Sequence, residues 1–503
     1  MVKQQEHLTA IAKNTGLGMG GKIFFIISRL VIVILITRSI GAEQYGIFVL
    51  AMGLVTFLEA GSLLGLQTGM IKFISEYNAL GDTTNVRGTI YYGIAASLIT
   101  SLFLSVFCFL TADIISNTVF HKPELATAFR IMLLGVPFGA VMLVMLSALQ
   151  GIKLVRYSIL VQQILMPVFR LICVSVALFF GYKLIGITWS WVIITMFGFV
   201  AAFIFLTRSV TGIFNMPFTM QRKGVLSFSI PLLFSQLLYQ NINTLGLLIV
   251  GIFMPVAQVG IYNIANRATA LILIPLFSYN AIFSPIITDL FTKGKKEELE
   301  SLFKTGSRWV LTLTLPLIAI MFFYSKDIVL IFGSDFSDSG KILVILLIGQ
   351  IINVGTGSTA QMLTMTGKPL YNLFNSGVSC FLNIGLTLFL VKNYGIIGAA
   401  WAQTISITIL QLLQMGEVWY FYKLHPFNIQ YVKPIVSVVL SSLLIYLLGG
   451  YIPIENRTML VVVLSAISLL TYAIFVFISG LSEEDSMILG KIQKKFVAVK
   501  ARG

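Results

Sequence analysis

The side chains able to do chemistry in this chain are few, and they stand where polar groups are expensive. Arg29, Arg170 and Arg267 interrupt apolar runs, and so does one acid, Glu59. A guanidinium grips phosphate oxygens bidentately and keeps its charge when desolvated. Inside a membrane span it must face a cavity or a partner, because lipid solvates it poorly. Counted along helices, Arg29 lies ~12 Å, Arg267 ~10 Å and Arg170 ~14 Å from the same end of their spans. Three guanidinium groups at one level suit an anionic, phosphate-bearing ligand. The competing reading for each is a structural ion pair or a bond to a helix end. Glu59, ~20 Å from that end, is either a partner for Arg29 or a protonatable coupling group. Gln236, Gln240 and Asn243 recur at i, i+4 and i+7 and share one helix face. Such a face hydrogen-bonds sugar hydroxyls, or else it bonds a neighbouring helix.

Membrane helices must position these residues. The chain has 503 residues, 57% hydrophobic and 11% charged, with a mean hydropathy of +0.94. Apolar runs recur along it, each of the ~20 residues needed to cross a hydrocarbon core of ~30 Å. The runs are continuous, not alternating, which excludes a β-barrel. The expectation is an all-α polytopic membrane protein of about fourteen transmembrane helices. Their cores lie near 16–37, 46–68, 88–110, 127–149, 157–179, 185–207, 227–250, 260–284, 308–325, 341–363, 371–391, 397–418, 433–450 and 459–479. Of the 34 Lys and Arg residues, 22 fall on the side of the termini and 8 on the other. The positive-inside rule therefore places both termini in the cytoplasm of a plasma (inner) membrane.

The same loops account for the net charge of +15 without nucleic acid. Cys108, Cys173 and Cys380 lie in apolar runs, and His7, His121 and His425 are far apart. No disulfide framework or metal cluster is expected, and no cofactor. Gly16-Leu17-Gly18-Met19-Gly20-Gly21 matches GxGxxG, but no strand precedes it, so it reads as helix packing. Loops on both faces are short. Any function therefore resides among the helices.

The sequence repeats itself. Gln44, Gly46 and Ile47 match Gln258, Gly260 and Ile261 at an offset of 214 residues. Gly186 and Gly398 open corresponding spans, and Gly151 and Gly367 end corresponding spans, at nearly the same offset. Spans one to six (1–224) and seven to twelve (225–424) are thus two six-helix repeats. Residues 425–480 add two helices, and 481–503 form a basic cytoplasmic tail. Six is even, so the repeats are parallel and related by an axis along the membrane normal.

The stretch Ile40-Gly41-Ala42-Glu43-Gln44-Tyr45-Gly46-Ile47-Phe48, with Arg29 upstream, resembles the polysaccharide-export branch of the multidrug/oligosaccharidyl-lipid/polysaccharide (MOP) flippase superfamily. So do Val259-Gly260-Ile261-Tyr262-Asn263-Ile264-Ala265 and Ile331-Phe332-Gly333. The resemblance implies a two-lobed, MATE-like bundle. It implies a Wzx-type flippase that carries a polyprenyl-(di)phosphate-linked oligosaccharide to the outer leaflet by alternating access. Arg29 and Arg267 match, by helix, cavity arginines of the related lipid II flippases; span two offers Glu59 instead of an arginine. On this reading Arg29, Arg267 and Arg170 hold phosphate, and Gln236, Gln240 and Asn243 meet sugar. The protein would be a transporter and not an enzyme. Its partners would be the lipid-linked oligosaccharide, membrane lipids, an ion gradient and other polysaccharide-assembly proteins. The alternatives are a cation-coupled multidrug exporter of the same fold, and a membrane glycan polymerase or ligase. The exporter needs acids where this chain has arginines. The enzyme needs an external catalytic loop.

Overall fold

In lipid every backbone N–H and C=O must be satisfied within the protein, so long apolar runs become helices. The computed structural model describes residues 2–210, 224–230, 233, 242–449 and 457–478, and all its regular elements are helical. Side chains are described from Phe24 onward in the first helix. The first half holds α1 (Val2–Ser62), α2 (Leu66–Ala79), α3 (Thr83–Ile114), α4 (Glu124–Leu133), α5 (Val136–Gly151), α6 (Val155–Ile159), α7 (Met166–Phe179) and α8 (Lys183–Ser209). Next come α9 (Ile242–Phe253), α10 (Val256–Ala270), α11 (Ile274–Thr292), α12 (Lys296–Phe323) and α13 (Ser325–Leu330). The last are α14 (Ser339–Gly355), α15 (Thr359–Met365), α16 (Pro369–Tyr422), α17 (Val432–Gly449) and α18 (Arg457–Ile478).

Among the described residues eight helices are long and apolar enough to span a membrane, ten if each bent pair is one span. Fourteen were expected, and the difference has identifiable causes. Expected spans one and two run as one helix, α1, bent at Gly41, whose φ of 73° suits glycine. Spans eleven and twelve are likewise one helix, α16, bent at Gly395. Spans seven and thirteen appear as shorter apolar helices within 244–253 and 429–444.

The chain packs as two compact units. The first contains residues 1–263, 331–336 and 384–399; the second contains 264–330, 337–383 and 400–503. In the first, α5 packs against α2, α3 and α8. Their shared core is Leu66, Met70, Ile74, Ile90, Val144 and Leu149, all essentially inaccessible. In the second, α11, α12, α15 and α16 bury Phe283, Ile287, Phe303, Met362, Leu363 and Val418.

The repeat is visible in local contacts. Gly186 lies against Ala177, and its counterpart Gly398 lies against Leu390, one residue from the position that corresponds to Ala177. Each contact folds a span back on the one before it, just after a glycine with positive φ, Gly181 or Gly395.

Candidate functional site

The first unit carries a polar centre that begins at a break in a helix. α1 ends at Ser62, and α2 starts at Leu66. Between them Leu64 (φ 49°) and Gly65 (φ 71°) take left-handed conformations. The released groups find partners: Leu63 N–H donates to Glu59 O (3.1 Å), and Thr100 Oγ1 donates to Ser62 O (2.7 Å). A side chain at Gly65 would run into Ser229 O and would come within 2.8 Å of Leu233 N. Only glycine lets that backbone approach.

Glu59 sits one turn before this break. Its carboxylate lies over Gly139 of α5, where a Cβ would overlap Oε1. Arg170 of α7 acts electrostatically on the same carboxylate. Arg170 follows a π-helical turn, Leu160–Leu165, that interrupts the expected fifth span. Such turns widen a helix and re-aim its side chains, and they recur at functional sites. The structure thus brings Glu59 within electrostatic reach of Arg170, two residues the sequence presented separately.

Arg29 stands exposed on α1 in the first unit, and Arg267 half-buried on α10 in the second. Gln236 and Gln240 lie outside the described residues; Asn243 is helical within α9, and its side chain is outside them.

A second feature of the first unit is a seam between the two copies of the repeated motif. A Cβ on Gly46 would overlap Val256 O and lie 2.7 Å from Val256 Cγ1. A Cβ on Gly260 would lie 2.6 Å from Ala42 O and 3.3 Å from Gly46 N. Gly46 and Gly260 are counterparts, and so are Ala42 and Val256. Each glycine therefore meets the other copy at the same position, as across a twofold axis. Small residues let helix backbones touch in this way in membranes.

One polar contact crosses the same seam, and others flank it. Tyr45 OH donates to Asn263 Oδ1 (2.9 Å). Arg38 Nε donates to Ile331 O (2.8 Å), and Ala42 N–H to Asp335 Oδ2 (3.3 Å). Lys122 Nζ donates to Phe120 O (3.0 Å) and to Gly251 O. Burial lowers the Lys122 ammonium from its ordinary range. The counterparts Gln44 and Gln258 both leave Oε1 buried without a hydrogen-bond partner.

The second unit holds a polar network that the sequence reading missed. Gln411 Nε2 donates to Asn353 Oδ1 (2.8 Å), and its Oε1 accepts from Thr356 (3.0 Å) and Thr359 (3.2 Å). Gln414 Nε2 donates to Asn372 Oδ1 (2.8 Å), and Asn375 Nδ2 to Glu417 Oε2 (2.6 Å). The i, i+3 pairs Asn372/Asn375 and Gln411/Gln414 were the available signal. Their hydrogen-bonding groups are spent on one another, so the network joins α14, α15 and α16 rather than awaiting a ligand. Arg308, at the start of the expected span 308–325, is 4% exposed within α12 and donates to Gln430 Oε1.

Comparison with known proteins agrees with the fold. The family profile described as "Polysaccharide biosynthesis protein" matches residues 35–341. The probable low-salt glycan biosynthesis flippase Agl15 of Haloferax volcanii is 27% identical over 169 residues, 33% of this chain and 35% of that protein. The capsular polysaccharide biosynthesis protein CapF of Staphylococcus aureus is 26% identical over 214 residues, 40% of this chain and 50% of that one. The chain thus aligns with a third to a half of the length of these relatives. Among solved structures, the lipid II flippase MurJ in its inward closed conformation superposes with a TM-score of 0.72 at 16% identity, covering 92% of this chain and 98% of that one. An inward-facing multidrug resistance MATE family transporter of the MOP superfamily gives 0.65 at 17% identity, covering 79% and 98%. These likenesses establish the fold.

Proposed function

This chain belongs to the polysaccharide biosynthesis protein family of the MOP superfamily, and from that premise we propose that it is a flippase for a lipid-linked oligosaccharide. The cargo is a polyprenyl-(di)phosphate-linked glycan moved from the cytoplasmic to the outer leaflet, with both termini in the cytoplasm. The observation that carries the reading is the presence of Arg29, Arg170 and Arg267 in apolar spans of a chain of this family. Guanidinium groups within membrane spans recognise phosphate, and a cationic drug would be repelled by them. Gln236, Gln240 and Asn243 supply amide groups for sugar hydroxyls.

Transport proceeds by alternating access of the repeats 1–224 and 225–424, driven by an ion gradient, the membrane potential or removal of product. The Gly46/Gly260 seam is the element with two states. Its close backbone contact favours the shut form. The two buried, unbonded glutamine oxygens cost about 1–3 kcal/mol each and favour opening to water.

Reconstituted vesicles test this. A fluorescent polyprenyl-diphosphate oligosaccharide should lose its protected signal, and a cationic dye should stay put. Arg267→Ala should abolish the glycolipid signal while the protein remains folded. Dye movement without glycolipid movement would overturn the proposal in favour of a drug exporter.

A further inference from the structure

The first unit has an apolar groove apart from the Glu59 centre and the glycine seam. It lies between α3, α5 and α8 and has a volume of about 490 Å³. Leu98, Leu102 and Phe109 of α3 form one wall; Phe138 and Met145 of α5 and Phe203 of α8 form the others. Ser105 is the one polar residue in the lining. Stacked and edge-on rings (Phe138 on Phe199 at 5.6 Å, Phe199 on Phe203 at 6.3 Å) stiffen the floor. Along α3 the lining runs from Ile94 to Phe109, or ~22 Å at 1.5 Å per residue. That exceeds the ~15 Å depth of one leaflet.

One end of the groove is charged. The Arg130 guanidinium stands over the Phe109 ring (5.5 Å) and pairs with Asp113 (2.6 Å). Both charges remain open to the surroundings, their side chains 35% and 58% exposed. Leu133 and Leu134, one turn beyond Arg130, already line the groove. An apolar slot therefore ends at a paired cation and anion.

We propose that this groove is a binding site for a zwitterionic phospholipid: one acyl chain lies along α3, its phosphate meets Arg130, and its ammonium meets Asp113. The charge pattern selects the headgroup. A net-negative headgroup gains Arg130 but is repelled by Asp113 a hydrogen bond away. A zwitterion answers both. The depth and rigid walls distinguish the groove from a flat lipid-facing surface. The site requires only that the protein spans a membrane.

Native mass spectrometry of the full chain in detergent tests it, with phosphatidylethanolamine and phosphatidylglycerol of identical chains as probes. Phosphatidylethanolamine should be retained preferentially. Leu102→Trp, which fills the groove, should weaken its retention about ten-fold, the loss of about two buried methylenes. Asp113→Asn, at an exposed position, should erase the headgroup preference without lowering the unfolding temperature. Equal retention of both lipids by the unaltered protein overturns the proposal. So does full retention by a folded Leu102→Trp variant, which would mean annular lipid only. Displacement of phosphatidylethanolamine from the groove by a polyprenyl diphosphate also overturns it and assigns the groove to the cargo's tail.

Discussion

Replacing Gly260 with alanine should force the seam open. An ordinary carbon contact begins at 3.4 Å, and a Cβ on Gly260 would lie 2.6 Å from Ala42 O. The helices must separate locally by the difference, ~0.8 Å, and the atoms in the way are backbone and cannot rotate aside. Overpacking of this kind costs about 1–3 kcal/mol. Charged to the shut state alone, that shifts a two-state equilibrium ~5–150-fold towards the open one. Gly46→Ala should do the same from the other copy. The double variant should show less than the sum, because both act on one contact. Val259, fully buried beside Gly260, is the reporter. In a background with Cys108, Cys173 and Cys380 replaced by alanine, Val259→Cys should react with a maleimide ~5–150-fold faster when Gly260→Ala is present, since the rate follows the open population. Gly377→Ala is the control, because nothing lies within 4 Å of its added Cβ. Unchanged labelling in a folded Gly260→Ala protein would refute the two-state seam.

Three further outcomes follow from the geometry. Glu59→Gln and Arg170→Met should each lower thermal stability and flipping, and a double-mutant cycle should give a coupling of about 0.5–3 kcal/mol, where independent sites would give none. Gln430→Ala should destabilise the protein by about 1–3 kcal/mol in a thermal unfolding assay, because it leaves the buried Arg308 donor without its amide oxygen. Asp82 caps α3, accepting from Asn85 N (3.0 Å), Thr84 Oγ1 (2.7 Å) and Asn85 Nδ2 (2.6 Å). The Asn85 N–H bond, then the side-chain bonds, hold its carboxyl below the ordinary range. Its stabilising effect is therefore complete above the unfolded value of ~3.9 and lost as pH falls through the lower folded value. Asp82→Asn should flatten that acid limb of the unfolding curve.

The sequence exposed the repeat as spacing but not as contact. The recurrence of Gln44, Gly46 and Ile47 at Gln258, Gly260 and Ile261 is readable because side-chain type is what a sequence records. That the two glycines meet each other's counterpart helix depends on how two copies associate, which no local pattern contains. The same limit hid the Glu59–Arg170 interaction: depth along a span can be counted, whereas the facing of two helices cannot. The break at Gly65 was lost for a different reason. Leu63-Leu64-Gly65-Leu66 reads as an unbroken apolar run, and hydropathy carries no information about φ. The fused helices α1 and α16 reversed that error, since Gly41 and Gly395 bend a helix where loops were expected.

Polar residues in a membrane protein divide by what their hydrogen bonds are spent on. The amides of Gln411, Gln414, Asn353 and Asn372 bond one another, and removing any one would strand its partner in a medium without water. Such groups hold helices together and have little left for a cargo. Gln44 and Gln258 are the opposite case: two equivalent amides with buried, unused oxygens, at a seam shut by backbone contact. A buried acceptor without a donor carries a cost. It is tolerable if the seam spends part of its time open, where water repays both oxygens at once. Because the two copies face each other, one opening movement relieves both. The duplication thus does more than double the helix count: it puts the same unsatisfied group on each side of the contact that parts in the proposed cycle.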